Sequence, residues 1–161
     1  SGALPVRIKW PNDLYIGDRK TAGILIQNSI SGTDIQSAIV GIGLNINQLE
    51  FDPALPNPTS LALSFGQNFD LEQLDGLLFE CIERRYLQLK AGHRAAIQSA
   101  FEALLFRRGV ESFFAETVNG QVFAGIILGV TDSGQLRVLT KQGERAFSVK
   151  EIHFKSEVRS H

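Results

Sequence analysis

The sequence has 161 residues, enough for one ordinary domain or a domain plus a small module. With 43% apolar and 20% charged residues, its proportions are globular and exclude a low-complexity or disordered chain. A formal charge of −1, from 16 basic and 17 acidic residues, makes no field that would hold a polyanion, so nucleic acid is not an expected partner.

The first half reads as β. Val6-Arg7-Ile8-Lys9-Trp10 alternates apolar and basic residues, the pattern of a half-buried strand. Pro11 interrupts it because proline has no N–H for a ladder. Leu14 to Ile16 resumes an extended run, and Gly17-Asp18 marks a tight turn. Thr21 to Ile30 is a second long strand, Ser31 to Asp34 a further turn, and Ser37 to Ile46 a third strand. Short turns between successive strands imply an antiparallel meander.

Pro53, Pro56 and Pro58 make residues 49–58 a loop. Thr59 or Ser60 can cap a short helix that ends near Gly66. Asp70 with Gln73 resembles a capping box. Leu74, Leu77, Leu78, Cys81 and Ile82 then fall on one helical stripe that closes near Gly92, and Cys81 on it is expected to be a core thiol. His93 is expected to be a favourable charge at that helix end. Residues 94–105 read as another helix.

After Gly109, short β runs are separated by Asn119-Gly120, Asp132-Ser133-Gly134 and Gln142-Gly143. That rhythm predicts a small all-β module, and it puts the domain division between residues 108 and 109. His153 is read as structural there, and His161 as part of a frayed tail. No apolar run approaches the ~20 residues of a membrane helix, and no secretory signal opens the sequence. The single cysteine excludes an intrachain disulfide and fits a cytoplasmic protein.

Three places stand out chemically. Strand alternation puts Gly41, Gly43, Asn45 and Asn47 on one face, and Ala38, Val40, Ile42, Leu44 and Ile46 on another that is expected to pack into a core. Two glycines on one strand face suit close approach of a flat ligand to bare backbone, or equally a bulky side chain from a crossing helix. Asn45 offers both donor and acceptor to an edge such as adenine. Lys9-Trp10-Pro11-Asn12-Asp13 sets a cation, an aromatic, an amide and a carboxylate around a proline break. Asp13 there suits Mg²⁺ beside phosphates, or simply caps a turn. Lys20, at a strand entrance, suits stabilisation of charge developing on a phosphate, or is a solvated turn lysine.

Lys-Trp-Pro-Asn-Asp-Leu at 9–14, Arg-Lys-x-Ala-Gly-Ile-Leu at 19–25 and Gly-Ile-Gly-Leu-Asn at 41–45 occur in this order. The trio resembles the biotin protein ligases (biotin–acetyl-CoA-carboxylase ligases). The resemblance implies an α+β fold: an antiparallel or mixed sheet with helices, like a class II synthetase catalytic domain in part, over residues 1–108. A small SH3-like β-barrel over residues 109–161 follows. It implies ATP-dependent activation of biotin to biotinyl-5′-AMP, with Mg²⁺, then transfer to a lysine of a biotin carboxyl carrier protein domain. Lys20 is implied as the lysine at the biotin carboxylate and adenylate phosphate. Asp13 is implied as the carboxylate at the phosphates and metal. Trp10, Asn12 and Asn45 are implied for the nucleotide, and Gly23, Gly41 and Gly43 for the backbone lining biotin. A homodimer is compatible with this. The family's Gly- and Arg-rich loop and a Ser/Thr-containing strand lie outside this sequence, so these residues alone are expected to be inactive. Two alternatives stay open: a lipoate–protein ligase relative, and a non-catalytic module that binds nucleotide or carrier.

Overall fold

The alternating residues at the start of the chain form β1 (Val6–Lys9), which pairs antiparallel with β2 (Asp13–Ile16) across the Trp10–Pro11 break, where the peptide bond is cis. Gly17, at φ 58°, supplies the left-handed turn into β3 (Arg19–Ser31), which pairs with β4 (Asp34–Leu44). The order is β1-β2-β3-β4, all antiparallel, as a meander requires. A computed structural model describes residues 6–32 and 34–155; His161 and Thr33 of the predicted turn lie outside them.

Two expectations about the third predicted strand change. The strand ends at Leu44, so Asn45 and Asn47 lie beyond it. The opposite face is not packed into a core: Val40 is 51% exposed and Ala38 is exposed too. Alternation fixes which side chains share a face, but burial needs a second layer against that face.

The helices start where their caps dictate. Ser60 Oγ accepts from Leu63 N at 3.1 Å to open α1 (Leu61–Phe65), and Gly66 closes it in the left-handed region. Asp70 Oδ1 accepts from Gln73 N at 3.1 Å to open α2 (Leu71–Lys90). A short turn leads to α3 (Arg94–Ala103). The predicted stripe of α2 is not buried, since no residue of α2 or α3 is, and Cys81 is exposed rather than a core thiol. His93 follows the end of α2, takes the N-cap position of α3 and makes no side-chain cap bond.

The chain divides into two compact units between Leu104 and Leu105. The second contains β5 (Glu111–Glu116), β6 (Val122–Val130), β7 (Leu136–Thr140), β8 (Gly143–Phe147) and β9 (Ile152–Phe154), ordered β8-β7-β6-β5-β9 and antiparallel throughout. Phe114, Ile127, Leu136 and Val138 are fully buried inside it. Phe123 stacks on Phe114 and Phe147, each at 5.6 Å between ring centroids. Gly125 is fixed by space: a Cβ there would lie 2.5 Å from Val138 Cγ1. Arg145 of the edge strand β8 reaches Glu116 of β5, next to the opposite edge, at 2.8 Å, so the sheet curls on itself. That pairing holds the Glu116 carboxyl below its ordinary range, helped by a hydrogen bond from Asn119. His153 sits in β9 on the exposed side.

Candidate functional site

The antiparallel register decides what meets what. Asp13 opens β2 directly opposite Gly23 of β3, and Gly23 in turn lies opposite Gly43 of β4. Gly41 faces Leu25 one step further along the same side. Three glycines therefore leave a strip of bare backbone. A Cβ built at Gly41 would meet only Leu25 O at 3.8 Å, and one at Gly43 only Gly23 O at 4.0 Å. No side chain among the described residues comes within 4 Å of a Cβ at Gly41 or Gly43, so the crossing-helix reading of these two glycines is overturned.

At the head of the strip sits an ion pair. Lys20 Nζ lies 2.6 Å from Asp13 Oδ1, and the two side chains are 41% and 25% exposed. A half-exposed pair contributes little to stability, at most about 1 kcal/mol. Its value lies in geometry instead. A Cβ at Gly23 would stand 3.5 Å from both Asp13 Oδ1 and Lys20 Nζ, so the pair hangs directly over that residue.

The main chain of Lys20 is held on its far side. Its N–H donates to Asn57 O and its carbonyl accepts from Thr59 N, both at 2.8 Å, sewing the proline-rich segment onto the start of β3. Asn45 completes this seam: its N–H donates to Thr21 O at 2.9 Å and its Nδ2 to Thr59 O at 3.0 Å. Buried Ser60 donates to Gln48 O at 2.6 Å and fixes the end of the segment. Asn12 forms a two-way clamp, with Nδ2 donating to Ile24 O at 2.7 Å and its carbonyl accepting from Ile24 N at 2.8 Å. Asn47 clamps Phe69 instead, donating to its carbonyl at 2.8 Å and accepting from its N–H at 2.9 Å.

Lys20, Gly23, Gly43 and Asn45 line one cavity of about 200 Å³, together with Ala22, Leu55, Pro56 and Pro58. Trp10, Asn12, Asp13 and Gly41 are not among its lining residues; Asp13 reaches it through Lys20. Trp10 is buried beside the strip's entrance strands. Leu55, Pro56 and Pro58 form a wall that the sequence reading treated only as loop. The available signal was the density of prolines, which make a stiff segment, directly after a glycine-bearing strand. At about 200 Å³ the cavity is smaller than the roughly 300–1,000 Å³ of small-molecule sites, so its residues enclose part of a ligand. A larger cavity of about 330 Å³ opens in the second unit; of its three ionic groups, Glu116 and Arg145 pair with each other, beside Lys141.

The comparisons with known proteins fall on this same strip. The family model of the Biotin/lipoate A/B protein ligase family matches residues 2–45, which contain Asn12, Asp13, Lys20, Gly23, Gly41, Gly43 and Asn45. The chain is 34% identical over 146 residues to the Bifunctional ligase/repressor BirA of Bacillus subtilis, covering 89% of this chain and 44% of that protein. It is 33% identical over 156 residues to the Biotin--[acetyl-CoA-carboxylase] ligase of Paracoccus denitrificans, covering 94% and 64%.

The chain is similar to the biotin protein ligases.

It spans about half to two thirds of the length of those two relatives. The fold agrees: the biotin protein ligase from Aquifex aeolicus in complex with biotin and ATP superposes with a TM-score of 0.75 at 22% identity, over 96% of this chain and 63% of that one. Two antiparallel sheets and three helices among the described residues make an α+β architecture here. No helix among the described residues is long and apolar enough to cross a membrane.

Proposed function

We propose that this chain forms part of the catalytic domain, with the following β module, of a biotin protein ligase that joins biotin to a carrier-protein lysine using ATP. The observation that carries the reading is the glycine strip with one ammonium at its head, inside the segment matched to the ligase family. In the first step a biotin carboxylate oxygen attacks the α-phosphate of ATP. The bond to pyrophosphate breaks and biotinyl-5′-AMP forms. In the second, a lysine amine of a biotin carboxyl carrier protein attacks the acyl carbon, AMP leaves, and an amide remains. Both steps need positioning and charge stabilisation rather than an enzyme nucleophile.

Lys20 stabilises negative charge at the biotin carboxylate and α-phosphate. Gly23, Gly41 and Gly43 admit the ligand against main chain. Asn12 and Asn45 are read as the amides at the adenine; each spends one amide N–H on a backbone carbonyl and keeps its second N–H and Oδ1 for a ligand. Trp10 backs the nucleotide side. Residues 109–161 are read as the SH3-like barrel. The same reading places the protein in the cytoplasm and allows a homodimer.

Mg²⁺ is a different matter. Asp13 is the carboxylate suggested for it, yet its Oδ1 is held by an ammonium at 2.6 Å. Among the described residues no three His, Cys, Asp or Glu side chains converge. That donor set does not fit a resident metal site, so Mg²⁺ is treated as arriving on the phosphates of ATP.

The test is biotin-dependent ATP–pyrophosphate exchange and label transfer to a carrier domain by the polypeptide that contains this chain. Exchange with biotin and none with lipoate is expected, and Lys20→Ala is expected to lower it by ~10²-fold or more. Exchange with lipoate alone, or with neither acid, removes the reading.

A further inference from the structure

We infer that Asp13 is a positioning residue that acts on the reaction through Lys20, rather than a metal ligand. The inference rests on the ligase reading of this site and gives one of its residues a different task. Lysine carries its charge on four rotatable bonds, so an ammonium at a strand entrance has no fixed direction of its own. Three features give it one here. The register sets Asp13 directly across from Gly23. Gly23 has no side chain to stand between the carboxylate and the ammonium, which approach to 2.6 Å above it. The Lys20 main chain is pinned by Asn57 and Thr59, so only the side chain is left to be oriented.

The pair is too exposed to exist for stability, since both groups keep contact with solvent. It turns the ammonium toward the cavity that Lys20, Gly23 and Gly43 line. A Mg²⁺ ion at ~2.1 Å from the second oxygen of the same carboxylate would compete with that ammonium for its charge, and the two cations would repel each other.

A double-mutant cycle in the intact ligase decides the matter. Biotin-dependent ATP–pyrophosphate exchange is measured for the unaltered protein, Asp13→Asn, Lys20→Ala and the double variant, across a Mg²⁺ titration. Asp13→Asn is expected to lower kcat about tenfold and leave the half-saturating Mg²⁺ concentration unchanged. In the Lys20→Ala background it is expected to do nothing further, because a residue acting through a missing group has no effect of its own. Multiplying effects, a Mg²⁺ requirement raised tenfold, or an Asp13→Asn variant with full kcat each overturn the inference. A variant that merely misfolds would lose activity in both backgrounds and so also counts against it. Independently of turnover, nucleotide-free protein titrated with Mn²⁺ should keep sharp NMR amide signals at Asp13 and Gly23. Broadening centred on Asp13 restores the metal role. No exchange in the unaltered protein indicts the ligase reading instead.

Discussion

The two units are built on opposite principles. The second packs a dry centre: Phe114, Ile127, Leu136 and Val138 are at most 1% exposed, and Phe114 touches both Phe123 and Phe154. The first keeps large apolar side chains in contact with solvent, among them Leu25 at 62%, Ile39 at 69% and Phe79 at 68% exposure. It is organised by main-chain pairing and by amide clamps from Asn12, Asn45 and Asn47. A surface that must offer bare backbone to a ligand cannot also be filled with side chains. The second unit is therefore held mainly by its packed centre, and the glycine strip of the first by its hydrogen-bond register.

Substitutions of one kind, made once in each region, should separate these principles. The largest effect is expected for Phe114→Ala. It should cost about 3–5 kcal/mol, read as lost hydrogen-exchange protection of β5 and β6 amides. Phe79→Ala on α2 should change the protection of its own helix by no more than about 0.5 kcal/mol. Equal costs would erase the contrast.

Glycine to alanine comes next. Gly125→Ala should destabilise the second unit by about 1–3 kcal/mol, because its methyl meets Val138 Cγ1 at 2.5 Å and Leu139 O at 3.2 Å. Gly43→Ala has room and should leave stability unchanged, while weakening nucleotide or biotin binding about tenfold, about 1.4 kcal/mol. Calorimetric titration against ATP and against biotin checks it, and unaltered affinity for both would mean that nothing lies on the strip.

The smallest effect is electrostatic. Glu116 is held below its ordinary carboxyl range by Arg145. A depressed folded-state value means that its contribution is present above the unfolded pKa, about 4.3, and fades as pH falls through the lower folded value. Glu116→Gln should therefore lower Tm slightly at pH 6, with the gap closing below about pH 4. A gap independent of pH would show that the pairing with Arg145 does not matter.

Much of this was legible beforehand, for identifiable reasons. Turn glycines and caps act within a few residues, so Gly17, Ser60, Asp70, Gly120 and Gly134 fell where the sequence set them. The ordered motifs around Lys20, Gly23 and Gly43 pointed to one surface, and the register does join these three in one cavity. Cys81 and the α2 stripe were read as core because periodicity reports amphipathy and not what lies against it. The proline wall of Leu55, Pro56 and Pro58 escaped notice because its partners at Lys20 and Asn45 are far away in sequence.

The amino-acid order by itself determined the strands, the helix starts, the left-handed turns and the chemical inventory of the strip, all of which depend on neighbours a few positions apart. Only the tertiary structure decided that Asp13 answers to Lys20, that Asn12 and Asn45 lock backbone carbonyls, and that the large aromatic and aliphatic side chains are fully buried in the second unit and mostly exposed on α2 and β4 of the first. Those outcomes depend on pairing register and on layers meeting in space, and neither is encoded in local spacing.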